Sequence, residues 1–226
     1  MYVRTCLLVC VLLAPLGVGL AQDPSKSALE TDPTGWIDLF PGKNLKGWKR
    51  VPLAPDEKLA DRNPWTVDAK NKILQCDGVG IKEMFVYDKP FKDGIFHVEW
   101  RFRKVDDPKA AYNSGIYVRS PNGTHWVQCQ VAHLEKPPFL GDLFADVPAN
   151  GKPKRVIING QGDKRAKPPG QWNTYEITSK GKTINVWING AVATTWNDCP
   201  FPAGHVGMQA EFFYIEFKNL KFKESN

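Results

Sequence analysis

The stretch Gly94-Ile95-Phe96-His97-Val98-Glu99-Trp100-Arg101-Phe102-Arg103 alternates apolar and polar residues without a break. A strand points successive side chains to opposite faces, so Phe96, Val98, Trp100 and Phe102 share one face and His97, Glu99, Arg101 and Arg103 share the other. A carboxylate able to take a proton and a guanidinium able to hold paired oxygens thus stand together on a polar face that either meets solvent or lines a binding surface. The same spacing pairs Tyr117 with Arg119 and Gln128 with Gln130. His133 adds an imidazole that titrates near neutral pH and suits a base, a metal ligand or a structural place at a strand end, and His125 and His97 carry the same options. With Glu99 these are the residue types of a divalent-metal site, but their spacing matches no metal signature, so no metal or cofactor is assigned. Eight Trp, in a chain that is 12% aromatic, supply flat apolar faces of the kind on which sugar rings stack.

Positioning such side chains takes short strands laid side by side. Candidate strands are Ile37 to Phe40, Trp65 to Asp68, Ile73 to Cys76, Phe85 to Tyr87, Gly94 to Arg103, Gly115 to Ser120, Thr124 to Val131, Arg155 to Ile158, Asn173 to Ser179, Thr183 to Ile188, Val192 to Trp196, Val206 to Gln209 and Ile215 to Phe222. Turn signals punctuate them at Asp77-Gly78, Pro121-Asn122-Gly123, Lys180-Gly181 and Asn189-Gly190, the pattern of an all-β antiparallel sandwich. Asn189-Gly190 predicts the clearest hairpin, because a type I′ turn needs two residues that accept positive φ. Leu134 to Asn150 carries Pro137, Pro138 and Pro148 and leaves room for a turn or two of helix only.

At 226 residues the chain suits one large all-β domain. Arg4, the apolar run Cys6 to Leu20 and the small residues before Gln22 have the parts of a secretory signal cleaved after Ala21. The run is shorter than the roughly 20 apolar residues of a spanning helix. The expected organisation is therefore a signal peptide at 1–21, a flexible lead-in at 22–34 and a single domain at 35–226, exported to the periplasm or beyond, with no membrane span after cleavage. Loss of Arg4 takes the 30 basic residues to 29 against 24 acidic, a net charge of +5. The surplus is scattered and marks no nucleic-acid groove; its densest cluster, Lys152, Lys154, Arg155, Lys164, Arg165 and Lys167, reads as a solvated loop. The three cysteines of the mature chain, Cys76, Cys129 and Cys199, read as buried thiols rather than catalytic ones.

Several blocks, taken in order, resemble the 3-keto-disaccharide hydrolase domain family. Leu39-Phe40-Pro41-Gly42-Lys43-Asn44-Leu45-Lys46-Gly47-Trp48 is similar to its "LFNGkdLxGW" signature, with Pro41 in place of Asn. Asn113 to Arg119 resembles "NSGiffR", Gly141 to Phe144 its "Gxly" loop, and Gly170 to Asn173, Ile188 to Gly190, Gly204 to Gln209 and Glu216 to Leu220 the "geWN", "lNG", "GxIgLQ" and "veFRNi" blocks. The resemblance spans about residues 36 to 223, and its weight comes from the order of the blocks.

It implies a concanavalin A-like jelly roll of two antiparallel sheets with a cleft on the concave one. It also implies cleavage of 3-keto-glycosides, by elimination across C1 and C2 followed by hydration. A C3 ketone acidifies the C2 proton, so the site needs a base, a donor for the enolate oxygen and an acid for the leaving oxygen. On this reading Glu99 or His133 is the base and Arg119 the clamp. Arg101, Asn113, Tyr117, Gln128, Gln130 and Gln209 hold the sugar, and the alternating pairs Glu99 and Arg101, Tyr117 and Arg119, and Gln128 and Gln130 are expected on neighbouring strands that converge on one groove. Arg119 has an alternative in an ion pair with a carboxylate such as Glu99, Asn113 in shaping a turn, and Gln209 in a core amide. The chain departs from the family block "yEyQilD", whose Glu and Asp fall at Gln128 and His133. Because Gln cannot take a proton, a noncatalytic carbohydrate-binding domain of the cell envelope stands as the second reading.

Overall fold

The computed structural model describes residues 23, 25–54, 56–120, 126–133 and 139–225. The expected signal peptide and His125 lie outside them. Among the described residues, fifteen strands form two antiparallel sheets. The first sheet runs β13 (Ala191–Trp196), β12 (Thr183–Ile188), β11 (Asn173–Lys180), β6 (Gly94–Phe102), β15 (Tyr214–Glu224), β4 (Ile73–Asp77) and β3 (Trp65–Asp68), with β1 (Ile37–Asp38) beside β15. The second runs β10 (Lys152–Ile158), β9 (Leu143–Ala149), β8 (Val127–Ala132), β7 (Asn113–Ser120), β14 (His205–Glu211), β5 (Lys82–Tyr87) and β2 (Trp48–Pro52). Neighbours far apart in sequence, such as β6 between β11 and β15, give the crossed connections of a jelly roll.

Alternation decides what fills the space between the sheets. Phe96, Val98, Trp100 and Phe102 of β6 face inward, as do Ile116 and Val118 of β7, Val127, Cys129 and Val131 of β8, and Met208 of β14, all buried. Trp100 meets Phe102 and Tyr175 edge-on at centroid distances of 5.7 and 5.5 Å. Trp100→Ala should therefore cost about 3 to 5 kcal/mol in urea unfolding, the range for truncating a large core aromatic. Glu99→Gln, on the outer face of the same strand, should leave the melting temperature within a degree or two; an unfolded Glu99→Gln protein would show that the outer face carries part of the core's stability. Cys76, Cys129 and Cys199 are free, buried thiols whose pKa burial pushes up, as the sequence suggested. Asn189 (φ 43°) and Gly190 (φ 112°) make the expected tight turn between β12 and β13.

Four sequence expectations change. From Ser25 onward the lead-in is docked on the domain: Ser27 and Glu30 close a capping box on α1 (Ala28–Thr31), and the Glu176 carboxylate accepts from the N–H groups of Ala28 (2.6 Å) and Leu29 (3.1 Å). The supposed loop of basic residues begins as β10, an exposed edge strand on which Lys152, Lys154 and Arg155 discourage pairing with another chain. Part of the Pro-rich segment is β9, with Pro148 near its end opposite Pro153, where no interior ladder bond is lost. Strand β2 was absent from the sequence reading because Arg50 points inward, where Glu83, fully buried, holds it through two bonds of 2.7 Å and also accepts from Trp65 Nε1 at 3.0 Å. That ion pair breaks the apolar pattern of β2 and β5.

Candidate active site

The outer face of the second sheet carries a different set of side chains. Tyr117, Gly115 and Asn113 of β7 point outward, flanked by Gln128 and Gln130 of β8 and by Gln209 and Glu211 of β14. Gly115 lets the row close up: a Cβ there would stand 2.3 Å from Gln128 Nε2, so only glycine allows the Gln128 amide to lie across β7. Gln128 Nε2 donates to Gln130 Oε1 (2.9 Å) and to Gln209 Oε1 (3.1 Å). Gln130 Nε2 donates to Asn113 Oδ1 (2.7 Å), and Asn113 Nδ2 donates to Glu211 Oε2 (2.8 Å). A ladder of amides spanning three strands therefore ends on a carboxylate.

Glu211 is largely buried, and that burial raises its pKa above the ordinary glutamate value; Lys82, 3.9 Å away, acts in the opposite sense, and the Glu57 charge adds to the rise. A carboxylate held this way accepts a proton more readily than one in water, the property required of a general base. At the other end of the face Tyr117 packs with Met84 and Val86, and the partly buried Val51, Leu53 and Trp126 pack against this cluster. Its ring meets Trp126 at 5.6 Å, and Trp126 meets Phe144 at 5.5 Å.

The profile of the 3-keto-alpha-glucoside-1,2-lyase-like domain matches residues 35–223. The chain belongs to this family. No curated protein matches it. Among solved structures it is similar to a glycosyl hydrolase-like protein of Parabacteroides distasonis, at 21% identity and a TM-score of 0.58 over 84% of this chain and 99% of the other. It is also similar to the carbohydrate-binding module CBM66 of Bacillus subtilis (13% identity, TM-score 0.54, 79% and 96% covered). The Bacillus licheniformis β-glucanase matches as well (14%, 0.51, 84% and 99%). These likenesses show the jelly-roll fold, which hydrolases and binding modules share.

Asn113, Tyr117, Gln128, Gln130 and Gln209 of this 3-keto-alpha-glucoside-1,2-lyase-like domain thus meet on one face. Glu99 and Arg101 do not join them. Strand β6 lies in the opposite sheet, and both side chains point away from the core. There Glu99 accepts from Asn219 and pairs with Lys218 at 3.1 Å, and Arg101 pairs with Glu216 at 2.6 Å and stacks on Trp172. The whole sandwich separates them from the amides.

Arg119 leaves the face as well. Its φ is 50°, and the β7–β14 register slips between the His205 and Gly207 pairings, so a bulge turns the side chain off the sheet. There, 2% exposed, Arg119 donates to the carbonyls of Gly181 (2.7 Å) and Phe201 (2.6 Å) and to Asp93 Oδ1 (2.7 Å). His133 follows the inward parity of Val131 and packs edge-on against Phe102 and Tyr112 at the end of the core, where desolvation lowers its pKa. Among the described residues no group of three or more His, Cys, Asp or Glu is arranged to hold a metal. The sequence reading passed over Glu211, although it stands two residues after Gln209 and so shares its face.

Proposed function

We propose that the chain is an exported enzyme that cleaves 3-keto-glycosides, with Glu211 as the base that removes the C2 proton and the amides of Asn113, Gln128, Gln130 and Gln209 as the cradle for sugar hydroxyls. The observation that carries this reading is the single hydrogen-bonded run from Gln209 to the partly buried Glu211 carboxylate on one face of a domain whose family is named for 3-keto-glucoside cleavage. Amides both donate and accept, so such a run matches a ring of hydroxyls. Glu211 takes the part first given to Glu99 or His133, because neither of those reaches this face. Among the described residues no helix is long and apolar enough to cross a membrane. Export rests on the N-terminal signal pattern.

The test uses protein recovered from the extracytoplasmic fraction, whose N-terminus should read Gln22, incubated with 3-keto-disaccharides with and without divalent metal. Release of the aglycone sugar supports the enzyme; tight binding without release selects the carbohydrate-binding alternative, which the Gln at 128 favours. Gln128→Glu separates the readings further. With Glu211 as base, a second anion on the ladder should slow turnover on the order of tenfold by pushing the Glu211 pKa beyond its useful range. A faster Gln128→Glu protein would move the base to position 128.

A further inference from the structure

Five buried side-chain polar atoms among the described residues lack a hydrogen-bond partner: His97 Nε2, Trp100 Nε1, Tyr117 Oη, Arg119 Nε and His133 Nε2. Four lie away from the amide ladder. Trp100 is between the sheets, His97 is on the outer face of the first sheet, Arg119 is among the loops and His133 is at the end of the core. The Tyr117 hydroxyl alone belongs to the candidate face. Buried phenols nearly always find a partner, so a hydroxyl held without one is available to a group that enters the site.

Its position relative to Glu211 follows from the register. Tyr117 pairs with Gly207 on β14, so its backbone stands about 13 Å along the strands from that of Glu211, at roughly 3.3 Å per residue. Both side chains rise from the same outer face, and the Glu211 charge adds to the effect of burial in raising the pKa of the phenol. Between them lie Gln209 and the folded-over Gln128 amide, above the side-chain-free position of Gly115. A sugar ring resting on those amides has the carboxylate at one edge and the phenol at the other. Val51, Leu53 and Trp126 pack against the Met84, Val86 and Tyr117 cluster and give the phenol end of the face an apolar border for an aglycone.

We propose that Tyr117 is the proton donor to the glycosidic oxygen, acting opposite Glu211; the assignment rests on the 3-keto-glycoside reading above. In the elimination the C2–H bond breaks and its proton passes to Glu211. Its electron pair forms the C1=C2 double bond, the C1–O bond breaks, and the departing oxygen takes the Tyr117 proton. In the hydration water gives its oxygen to C1 and a proton to the phenolate, and Glu211 returns its proton to C2. The sum is hydrolysis, and both residues end as they began. Burial first, and the Glu211 charge second, raise the pKa of the phenol, so Tyr117 carries its proton when substrate enters.

The test compares two 3-keto-glucosides, one with a sugar aglycone and one with a 4-nitrophenyl aglycone whose oxygen leaves without a proton. Tyr117→Phe should lower kcat on the disaccharide by about 10²- to 10⁴-fold, the usual contribution of a general acid, and leave the nitrophenyl substrate within about threefold of wild type. Glu211→Gln should slow both. Across a wild-type series of aryl aglycones the rate should depend weakly on leaving-group acidity, and the dependence should steepen in Tyr117→Phe. Equal slowing on both substrates would give Tyr117 a structural or enolate-binding part and overturn the assignment alone. A wild type that turns over neither substrate overturns the 3-keto-glycoside reading and the assignment with it.

Discussion

Glu211→Gln is expected to lower kcat/KM on a 3-keto-disaccharide by about 10²- to 10⁴-fold, the range for a lost general base, with KM little changed. The amide keeps the shape of the carboxylate and can still meet Asn113, so the ladder survives while the proton acceptor is lost. The pH profile supplies a second readout. A base works only when unprotonated, and burial raises the Glu211 pKa, so the acid limb of the wild-type profile should lie above the ordinary glutamate value of 4.5. Stability should move the other way. A carboxyl with a raised folded-state pKa contributes stability that is fully present below its unfolded pKa and is lost as pH rises through the folded one. At neutral pH Glu211→Gln should thus melt at or above the wild-type temperature, and the advantage should disappear on acidification. A variant that keeps wild-type kcat/KM would place the base elsewhere, whatever its melting curve does.

The sequence carried most of the fold because most strands alternate cleanly. Phe96 to Phe102, Ile184 to Ile188 and the Asn189-Gly190 turn each state their face and register locally. What escaped was set by partners distant in sequence. Arg50 and Glu83 satisfy each other inside the sandwich, so β2 reads as polar and β5 reads as beginning only at Phe85, although both residues face inward. Pro148 and Pro153 conceal a hairpin in which they face each other next to the turn. For the site, alternation gave the right spacing within a strand, but it says nothing about which sheet a strand joins. Glu99 and Arg101 have the chemistry of a site and the parity of an outer face, yet β6 is central in the sheet opposite the amides. Glu211 has the same chemistry and lies on the right sheet; its spacing from Gln209 was the available signal.

The bulge at Arg119 leads to the other large expected effect. Read as a clamp on substrate, Arg119→Lys should weaken sugar binding. Placed as it is, the residue should instead govern stability. Its guanidinium joins three segments far apart in sequence: the Asp93 loop before β6, the Gly181 turn between β11 and β12, and the Phe201 loop before β14. Gly181 N–H also donates to both Asp93 oxygens, so the segments are fixed to one another as well as to the arginine. Truncation to Ala removes three charge-assisted bonds, two of them to carbonyls and one to a carboxylate, and leaves a cavity in a buried place, which together should cost about 3 to 5 kcal/mol. Asp93 is about a third exposed and water recovers part of its loss, which favours the lower half of that range. At roughly 2 to 4 °C per kcal/mol for a chain of this size, the melting temperature should fall by about 10 °C. Arg119→Lys should lose somewhat less, since one ammonium replaces a planar fork that serves a carboxylate and two carbonyls at once. Below their melting temperatures both variants should retain kcat/KM within about twofold, because no atom of Arg119 reaches the amide face. A stable Arg119→Lys protein with a large loss of sugar affinity would return the arginine to the site and require the loops around Gly181 and Phe201 to open toward it.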